Sequence, residues 1–408
     1  MTNRQAAIEI IRGLQQDGYE ALLAGGCVRD MLLGRRAKDY DVATNARPQE
    51  VMQLFRRTLK VGAKFGVVIV LTRGRQVEVA TFRSETGYED GRHPDTVQFT
   101  SAAEDASRRD FTINGMFYDP LAKRVIDYVD GQADLAKRII RTIGDPTERF
   151  SEDYLRMLRA LRFSTQLGFE IEPATYAAIR RHAPGIAKIS GERIRAELEG
   201  ILCCPNRAAG ASMLGGTGLL GVIFPDLAGQ RAARGADVLA QMRKTLDLPL
   251  ALAGLFVDCP TEFALERCRV LRLSKNQTRH VKFLLTRRGC LLDLEMSLAR
   301  LKTLLAKPYF RDLYELERAF QKATAHAENL GALVKLRRRI RDLGDVDVQP
   351  APLLSGHDLI RLGAVPGPSL GQLTEELYIA QLEGEVHTPE QAEQWAAGWL
   401  QRHKEAAR

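Results

Sequence analysis

The spacing of apolar residues changes near residue 150, and that change limits the folds open to this chain. Before it, four short apolar runs have the length and spacing of strands: YEALLAGG, KDYDVAT, FGVVIVLT and QVEVATFR. Helical stretches flank or separate them: residues 3–17, CVRDMLLGR closed by Gly34, and PQEVMQLFRR opened by Pro48. The turn RGR joins the last two runs into a predicted hairpin. This part of the chain therefore predicts a small head in which helices flank a sheet.

From Ser151 onward the spacing is almost wholly helical. Breaks are expected near Pro205, Pro249 and Pro260, and a further joint at VQPAPLL, residues 348–354. Since no strand pattern continues into this segment, the sheet must be confined to the head. The predicted fold class is therefore α+β, a mixed-sheet head followed by a helical neck, body and tail.

The composition places the chain among soluble globular proteins of several units. Its 408 residues are enough for two to four compact units, and the net charge of +8 is compatible with a polyanionic partner. The six cysteines form no C-x-x-C pair, so we expect a reduced, cytoplasmic protein without structural zinc. The start, MTNRQAAIEIIRGLQ, is typical of an amphipathic helix rather than a signal peptide. The longest apolar run, LPLALAGLFV, is too short to span a membrane.

Two aspartates, Asp39 and Asp41, are separated by one residue in a predicted strand. Alternation would place both side chains on one face, where like charges repel unless a cation lies between them. A lone D-x-D is more typical of a polar turn. Here Gly25 and Gly26 end the preceding strand and open a helix, where backbone N–H groups can receive a phosphate. Glu78, flanked by core-facing valines, can supply a third carboxylate from a neighbouring strand. The three carboxylates and the glycine turn together indicate a two-metal phosphoryl-transfer centre.

Three segments, with order and spacing intact, resemble the main motifs of class II tRNA nucleotidyltransferases and bacterial poly(A) polymerases, members of the polymerase-β-like nucleotidyltransferase superfamily. The segments are LLAGGCVRDMLLGRRAKDYDVATNARPQEV, RRDFTINGMFYDP and FSEDYLRMLRALRFSTQLGF. The resemblance covers most of residues 20–202, and a weaker similarity to the family's C-terminal region begins at LLSGHDLIRLG. Residues 205–345 carry no usable motif.

The resemblance implies a role for individual residues. Asp39 and Asp41 match the metal ligands, and Glu78 is a less secure third catalytic carboxylate. Contacts to the nucleotide are implied for Gly25, Gly26, Arg29, Arg109, Asp110, Asn114, Glu152, Asp153, Arg156, Arg159 and Arg162. Glu152 is expected to orient Arg156. Phe65 stands where the family often has the histidine of G-x-x-H-G, which puts in doubt any role for that side chain.

The implied activity is template-independent addition of CCA to the 3′ end of tRNA from CTP and ATP, with release of pyrophosphate and with Mg²⁺ as cofactor. The partners implied are tRNA, ATP and CTP, and the sequence indicates no protein partner. The predicted domains are a catalytic head at 1–145, a nucleotide-recognising neck at 146–205, a tRNA-binding body at 206–347 and a tail at 348–408. The basic cluster KLRRRIR, residues 335–341, is a candidate for tRNA phosphate contacts, although a solvated helix face has the same pattern.

Other functions share parts of this pattern. A poly(A) polymerase has the same chemistry, but LKVGAKFGVVIV is more similar to the tRNA enzymes than to the basic segment of those polymerases. An enzyme adding only A remains open, whereas the full-length loop at 84–101, SETGYEDGRHPDTVQFTS, argues against one adding only CC. A non-catalytic tRNA-binding protein would not need the intact Asp39 and Asp41. Each motif alone also has a structural interpretation, such as an N-cap at Ser151, and it is their conjunction that favours catalysis.

Overall fold

The structure is a computed structural model that describes residues 1–60, 66–86, 96–243, 245–344 and 346–406. Of residues 85, 86, 96, 97 and 404–406 it describes the backbone alone. The chain divides into two compact units. The first, the N-terminal unit, comprises residues 1–239 and 244–274, and the second, the C-terminal unit, comprises residues 240–243 and 275–408.

The described residues of the head form a seven-stranded mixed sheet and a separate two-stranded one. The strands are β1 Ala21–Ala24, β2 Asp41–Thr44, β3 Thr58–Leu59, β4 Val67–Thr72, β5 Arg75–Thr81, β6 Arg83–Thr86, β7 Thr96–Phe99, β8 Phe117–Asp119 and β9 Arg124–Ile126. The order in the large sheet is β3-β4-β5-β2-β1-β8-β9, and β6 pairs with β7. Strands β2 and β5 run parallel, while the other neighbouring pairs are antiparallel. The mixed-sheet head is confirmed.

The strands that the sequence predicts are those with buried apolar side chains. All four residues of β1 are buried, and on β5 Val77 and Val79 are buried while Glu78 between them is exposed. The predicted β4–β5 hairpin is present and turns at Arg73 and Gly74, both of which have positive φ. Strands β3, β8 and β9 were not predicted, because two or three residues are too short to show an alternating pattern.

Helices cover the sheet and lie between its strands. They are α1 Asn3–Gln16, α2 Gly26–Leu32, α3 Pro48–Leu54, α4 Ala102–Ser107 and α5 Gly131–Lys137, with a 3₁₀ turn at Thr112–Asn114. The first three were predicted, and their boundaries follow from local signals. Thr2 forms a capping box with Gln5 at the start of α1, and Pro48 occupies the first turn of α3.

The loop predicted at 84–101 is partly strand. Its two ends belong to β6 and β7, which pair from Arg83↔Phe99 to Thr86↔Thr96. The central part, residues 87–95, lies outside the described residues, as does Phe65. Residues 84–86 and 96–98 are polar except for Val97, so they show no alternating apolar pattern that would predict this hairpin.

Beyond the head the described chain is helical except for one short strand. The remaining helices of the N-terminal unit are α6 Pro146–Glu152, α7 Leu155–Leu167, α8 Pro173–His182, α9 Gly191–Leu202, α10 Arg207–Gly216, α11 Leu219–Ile223, α12 Gly229–Gln241, α13 Leu248–Leu255 and α14 Thr261–Val270. The last two residues of α12 belong to the C-terminal unit. Strand β11 at Glu170–Ile171 pairs in parallel with β10 at Ile139–Ile140, so the predicted all-helical neck contains a two-residue strand. The predicted breaks are confirmed. Pro249 lies in the first turn of α13, and Pro260 is the N-cap of α14.

The C-terminal unit is helical. Its helices are α15 Lys275–Thr286, α16 Leu298–Leu305, α17 Phe310–Ala323, α18 Ala327–Asp342, α19 Gly356–Arg361, α20 Pro368–Glu383 and α21 Pro389–Ala406. The predicted joint at 348–354 is non-helical, and beyond it the last three helices share one apolar cluster that includes Leu359, Leu373 and Trp399. Among the helices that the structure describes, none combines the length and the apolar composition needed to cross a bilayer.

Candidate active site

A cavity of about 540 Å³ opens on one face of the large sheet. Part of its floor consists of Ala24, Ala43 and Ala80 on the three adjacent strands β1, β2 and β5. Because these side chains are small, the sheet leaves space for a ligand above them. Most of the predicted site residues line this cavity: Gly25, Gly26, Arg29, Asp41, Glu78, Arg109, Asp110, Asn114, Asp153, Arg156, Arg159 and Arg162.

The carboxylates of Asp41 and Glu78 are brought together by strand register. Strands β2 and β5 are parallel, with Val42 opposite Val79, so Asp41 and Glu78 stand level with each other one residue earlier. Residues level on adjacent strands share a face of the sheet. Both acids therefore project from the same face as the alanines of the cavity floor.

Asp39 does not lie on the strand, which corrects the prediction. Strand β2 begins at Asp41, and Asp39 lies exposed in the irregular segment before it. Desolvation, Glu78 and Asp39 raise the pKa of Asp41 to about 6, against the opposing effect of Arg109. Within the described part of the chain, no hydrogen bond or salt bridge reaches these three carboxylates. A cluster of oxygen donors that repel one another in this way suits a hard divalent cation.

A chain of hydrogen bonds connects the three sequence motifs along the cavity wall. Arg29 Nη1 donates to Asn114 Oδ1 over 2.7 Å, and Asn114 Nδ2 donates to Asp110 Oδ1 over 3.2 Å. Asp110 also accepts from Arg159 through Nη2 at 2.6 Å and Nε at 2.9 Å. Burial alone would raise the pKa of Asp110, but Arg159 and these hydrogen bonds hold it below its usual value. The arginines of the first and third motifs are thus fixed through the second.

Arg109 is held against the glycine turn. Its Nη2 donates to the buried Asp105 over 2.9 Å, and its guanidinium lies 4.8 Å from the centre of the Phe117 ring. Gly25 has φ of +72°, and a Cβ there would lie 3.1 Å from Arg109 Nη1. A side chain at Gly25 would therefore be strained and would press on this arginine.

Phe163 supports three guanidinium groups on the same wall. Its ring centre lies 5.3 Å from Arg29, 5.5 Å from Arg159 and 4.2 Å from Arg162. Arg162 also donates through Nε to the buried Glu197 on α9 over 2.6 Å. Cation–π contacts and ion pairs together fix the direction of these long side chains.

Asp153 and Arg156 are not on one helix, which corrects a second prediction. Helix α6 ends at Glu152, and Asp153 is extended, with φ −147° and ψ 103°, before α7 begins at Leu155. Asp153 accepts hydrogen bonds from the Leu155 backbone at 3.0 Å and from Arg193 Nη2 at 2.7 Å. Both Asp153 and Arg156 nevertheless line the cavity, from the two sides of this junction.

Arg156 is buried and held from behind by Glu152. Its Nη1 donates to Glu152 Oε2 and, over 2.8 Å, to the carbonyl of Arg149. Arg149 in turn pairs with Glu152 and donates to the carbonyls of Arg108 and Arg109. Glu152 itself is not among the residues that line the cavity, and neither is Asp39.

Comparisons with known proteins agree with the family resemblance of the three sequence motifs. Residues 21–141 match the poly A polymerase head domain, and residues 168–230 match the probable RNA and SrmB-binding site of polymerase A. The chain is 35% identical to the CCA-adding enzyme of Limosilactobacillus fermentum over 97% of both chains. It is 35% identical to that of Geobacillus stearothermophilus, covering 94% of this chain and 93% of the relative. This chain belongs to the CCA-adding enzyme family.

Solved structures of CCA-adding enzymes have the same fold. The Bacillus stearothermophilus enzyme in complex with CTP superposes with a TM-score of 0.82 at 30% identity and covers 100% of both chains. The Thermotoga maritima enzyme complexed with tRNA has a TM-score of 0.70 at 20% identity and covers 97% of this chain and 95% of that chain. Nucleotidyltransferases of this family use a divalent metal ion. The carboxylate cluster at the start of β2 has the donor chemistry for one.

Sequence reasoning missed several residues that shape the cavity. They are Arg83, Arg108 and Arg193, which line it, and Asp105 and Glu197, which hold its arginines. Arg193 and Glu197 lie one turn apart in GERIRAELEG, a spacing that places an arginine and a carboxylate on one helix face. That signal was available, but nothing local indicates that this face meets the cavity. Eight arginines and four carboxylates line the described cavity, an excess of positive charge that suits a polyphosphate.

Proposed function

We propose that this protein adds CCA to the 3′ end of tRNA from CTP and ATP, releasing pyrophosphate, in the cytoplasm. The observation that carries the proposal is a single cavity lined by the carboxylates of Asp41 and Glu78, by eight arginines and by Asp153 beside one of them, Arg156. Similarity to CCA-adding enzymes along the whole chain supports it. The proposed domains remain a head at 1–145, a neck at 146–205, a body at 206–347 and a tail at 348–408.

The carboxylate cluster is the proposed metal site. Asp39 and Asp41 would hold Mg²⁺, with Glu78 beside them. When bound, Mg²⁺ supplies Lewis-acid stabilisation to the attacking 3′-oxygen and to the departing pyrophosphate. The protein's own contribution at this end of the cavity is to place acidic oxygens on the sheet face where the reacting phosphate must lie.

The arginine wall is the proposed triphosphate site. Arg29, Arg109 and Arg159 each have a carboxylate partner that fixes the guanidinium before a nucleotide arrives. The glycine turn at Gly25 and Gly26 gives the triphosphate close access to the backbone. Preorganised cations of this kind position the reacting phosphate and stabilise charge in the transition state without reorganising.

The Asp–Arg pair is the proposed base-selecting group. Asp153 offers acceptors and Arg156 offers donors from opposite sides of the α6–α7 junction. Cytosine presents an amino donor and a ring-nitrogen acceptor on its Watson–Crick edge, and adenine does the same. Uracil and guanine present a carbonyl acceptor and a ring N–H instead, so they would meet each side chain with the wrong polarity. An unpaired buried group costs about 1–3 kcal/mol, so two mismatches together account for strong rejection.

The test is single-nucleotide addition. Three tRNA transcripts, ending at the discriminator base, at C and at CC, are each incubated with one NTP at a time. A CCA-adding enzyme adds C to the first two and A to the third, and then stops. Addition of A to the third alone identifies an A-only enzyme, and unlimited A on every transcript identifies a poly(A) polymerase. Tight tRNA binding without pyrophosphate release would contradict catalysis altogether.

A further inference from the structure

The adjacent helices α6 and α7 only partly orient the carboxylate of Asp153. Asp153 has an extended backbone between α6 and α7, so a helical turn does not restrict the rotamers of its side chain. The Leu155 backbone N–H binds one carboxylate oxygen, Oδ1, over 3.0 Å. That single hydrogen bond leaves the plane of the carboxylate undetermined. A second donor is needed to fix it.

Arg193 supplies that second donor from a distant part of the chain. Its Nη2 lies 2.7 Å from Asp153 Oδ2, and both side chains line the cavity. The side chains are 22% and 16% exposed, so this ion pair is mostly shielded from water. A shielded, charge-assisted hydrogen bond is stronger and more directional than a surface ion pair.

The helix that carries Arg193 is itself fixed tightly. At Gly191 a Cβ would lie 1.9 Å from the carbonyl oxygen of Val270, so the start of α9 touches the backbone at the end of α14. At Gly200 a Cβ would lie 2.4 Å from Arg162 Cδ. Between these two close approaches Glu197, one turn after Arg193, pairs with Arg162. Helix α9 is therefore a rigid support for side chains of the cavity wall.

We propose that Arg193 is a specificity-determining positioning residue that fixes the acceptor geometry of Asp153. The inference rests on the proposed function, since it concerns the base that Asp153 receives. With Arg193 present, the carboxylate of Asp153 is held in one orientation and cannot turn away to accommodate a carbonyl. Without it, Asp153 can rotate away from a uracil or guanine carbonyl, and the mismatch is relieved.

The experiment compares Arg193→Met with Arg193→Lys. Methionine keeps an unbranched stem similar to the aliphatic part of arginine but removes every donor, and lysine restores the charge with less directional hydrogen bonding. The matched control is Arg195→Met on the same helix, because Arg195 donates instead to the carbonyl of Arg272 and does not line the cavity. The kcat/KM of each enzyme is measured for CTP, ATP, UTP and GTP on the matching tRNA transcripts. The affinity for CTP and UTP is also measured by calorimetry without tRNA.

We expect Arg193→Met to reduce the CTP-to-UTP ratio of kcat/KM at least tenfold. Arg193→Lys should recover much of that ratio, and Arg195→Met should leave it unchanged. An unchanged ratio in Arg193→Met, or an equal loss with all four nucleotides, would show that the arginine is only structural. If Arg193→Met does not fold, Arg193→Leu, which also removes every donor, carries the same expectation.

The two proposals fail in different ways. A wild-type enzyme that adds no C to tRNA would contradict the proposed function. A wild-type enzyme that adds CCA, with variants that discriminate equally well in both transfer and calorimetry, would contradict the role of Arg193 alone.

Discussion

Each carboxylate behind the arginine wall fixes the direction of a long side chain. Asp105 binds Arg108 and Arg109, and Asp110 binds Arg159. Ordering a free arginine side chain costs up to about 2 kcal/mol of conformational entropy. That cost is met during folding rather than when the nucleotide binds. We therefore expect these acids to contribute to nucleotide affinity by ordering the arginines in advance.

The first prediction concerns the metal ligands. Asp39→Ala or Asp41→Ala should abolish transfer from both CTP and ATP, because either change removes an oxygen donor for Mg²⁺. The fold and the tRNA affinity should stay nearly intact, since loss of one carboxylate also relieves the repulsion that, after desolvation, raises the pKa of Asp41. Transfer rates, melting temperature and tRNA binding are measured in parallel. Substantial activity in either variant at saturating Mg²⁺ would contradict the metal assignment.

A second prediction follows from Asp110. Its folded pKa lies below the ordinary value of 3.8, so it stabilises the fold above about pH 4, and this stabilisation is lost as the pH falls through the folded pKa. Asp110→Asn should lower the free energy of unfolding by about 2 kcal/mol at pH 7, because the charge-assisted hydrogen bonds are removed. The difference from wild type should shrink below pH 4. Urea unfolding between pH 3 and pH 7 measures it.

The control for Asp110 is Asp17→Asn at the exposed end of α1. It should change stability little at any pH. If Asp110→Asn showed a deficit that did not depend on pH, the deficit would come from packing rather than from the ionised carboxylate.

At the scale of secondary-structure elements, the α6–α7 junction decides how the cavity is completed. One continuous helix would keep Asp153 and Arg156 about one turn apart on the same surface. The break instead places Asp153 against α9 and leaves Arg156 backed by Glu152. The two side chains are thus held by different partners, Asp153 by Arg193 and Arg156 by Glu152.

The third prediction tests this arrangement. Asp153→Ala or Arg156→Ala should admit UTP or GTP while lowering the use of CTP and ATP, because each removes one half of the polarity match. The kcat/KM ratios of the four NTPs measure the effect. Survival of the wild-type preference in both variants would place base selection elsewhere in the molecule.

The β6–β7 hairpin carries the fourth prediction. Strand pairing reaches Thr86↔Thr96, so residues 87–95 can be replaced by Asn-Gly, a two-residue turn suited to antiparallel strands. We expect this change to spare addition of the two C residues and to impair addition of the final A. Stepwise transfer to the three tRNA transcripts measures each stage. An equal decrease at every stage would show that the replaced residues serve the fold only.

At the scale of the whole molecule, the positive charge is not confined to the nucleotide cavity. On α18 in the C-terminal unit, four cationic side chains are exposed: Lys335, Arg337, Arg338 and Arg341. Arg339 is partly buried and donates to the carbonyl of Met296, which holds the helix in place. This surface remains a prediction for tRNA phosphate contacts.

The fifth prediction concerns that surface. Replacing Arg337, Arg338 and Arg341 with Gln should raise KM for tRNA and leave KM for CTP unchanged. For every arginine–phosphate ion pair removed, the slope of log affinity against log salt should flatten by roughly 0.7–0.9. The same three-arginine replacement at Arg12, Arg73 and Arg75 on the head serves as control. An unchanged slope would show that α18 presents only a solvated face.

Local sequence was enough to define the principal strands and helices of the head and the motif residues. Apolar spacing predicts β1 and the β4–β5 hairpin, and proline and capping signals predict where several helices begin, because these features depend on neighbours within a few residues. The acidic residues and the glycine pair also indicate phosphoryl transfer without knowledge of the fold, whereas the roles of most arginines came from the family resemblance. Local physics suffices for these features.

How the motifs meet depended on the folded chain alone. The parallel pairing of β2 with β5 sets Glu78 level with Asp41, and it joins strands that other elements separate in the chain. The break at Asp153 and the arrival of Arg193 from α9 depend on how helices pack, which no local pattern contains. Packing is a long-range compromise between burial and hydrogen bonding over the whole N-terminal unit. For that reason only the folded structure identifies Asp105, Arg193 and Glu197 as the residues whose ion pairs fix side chains of the cavity.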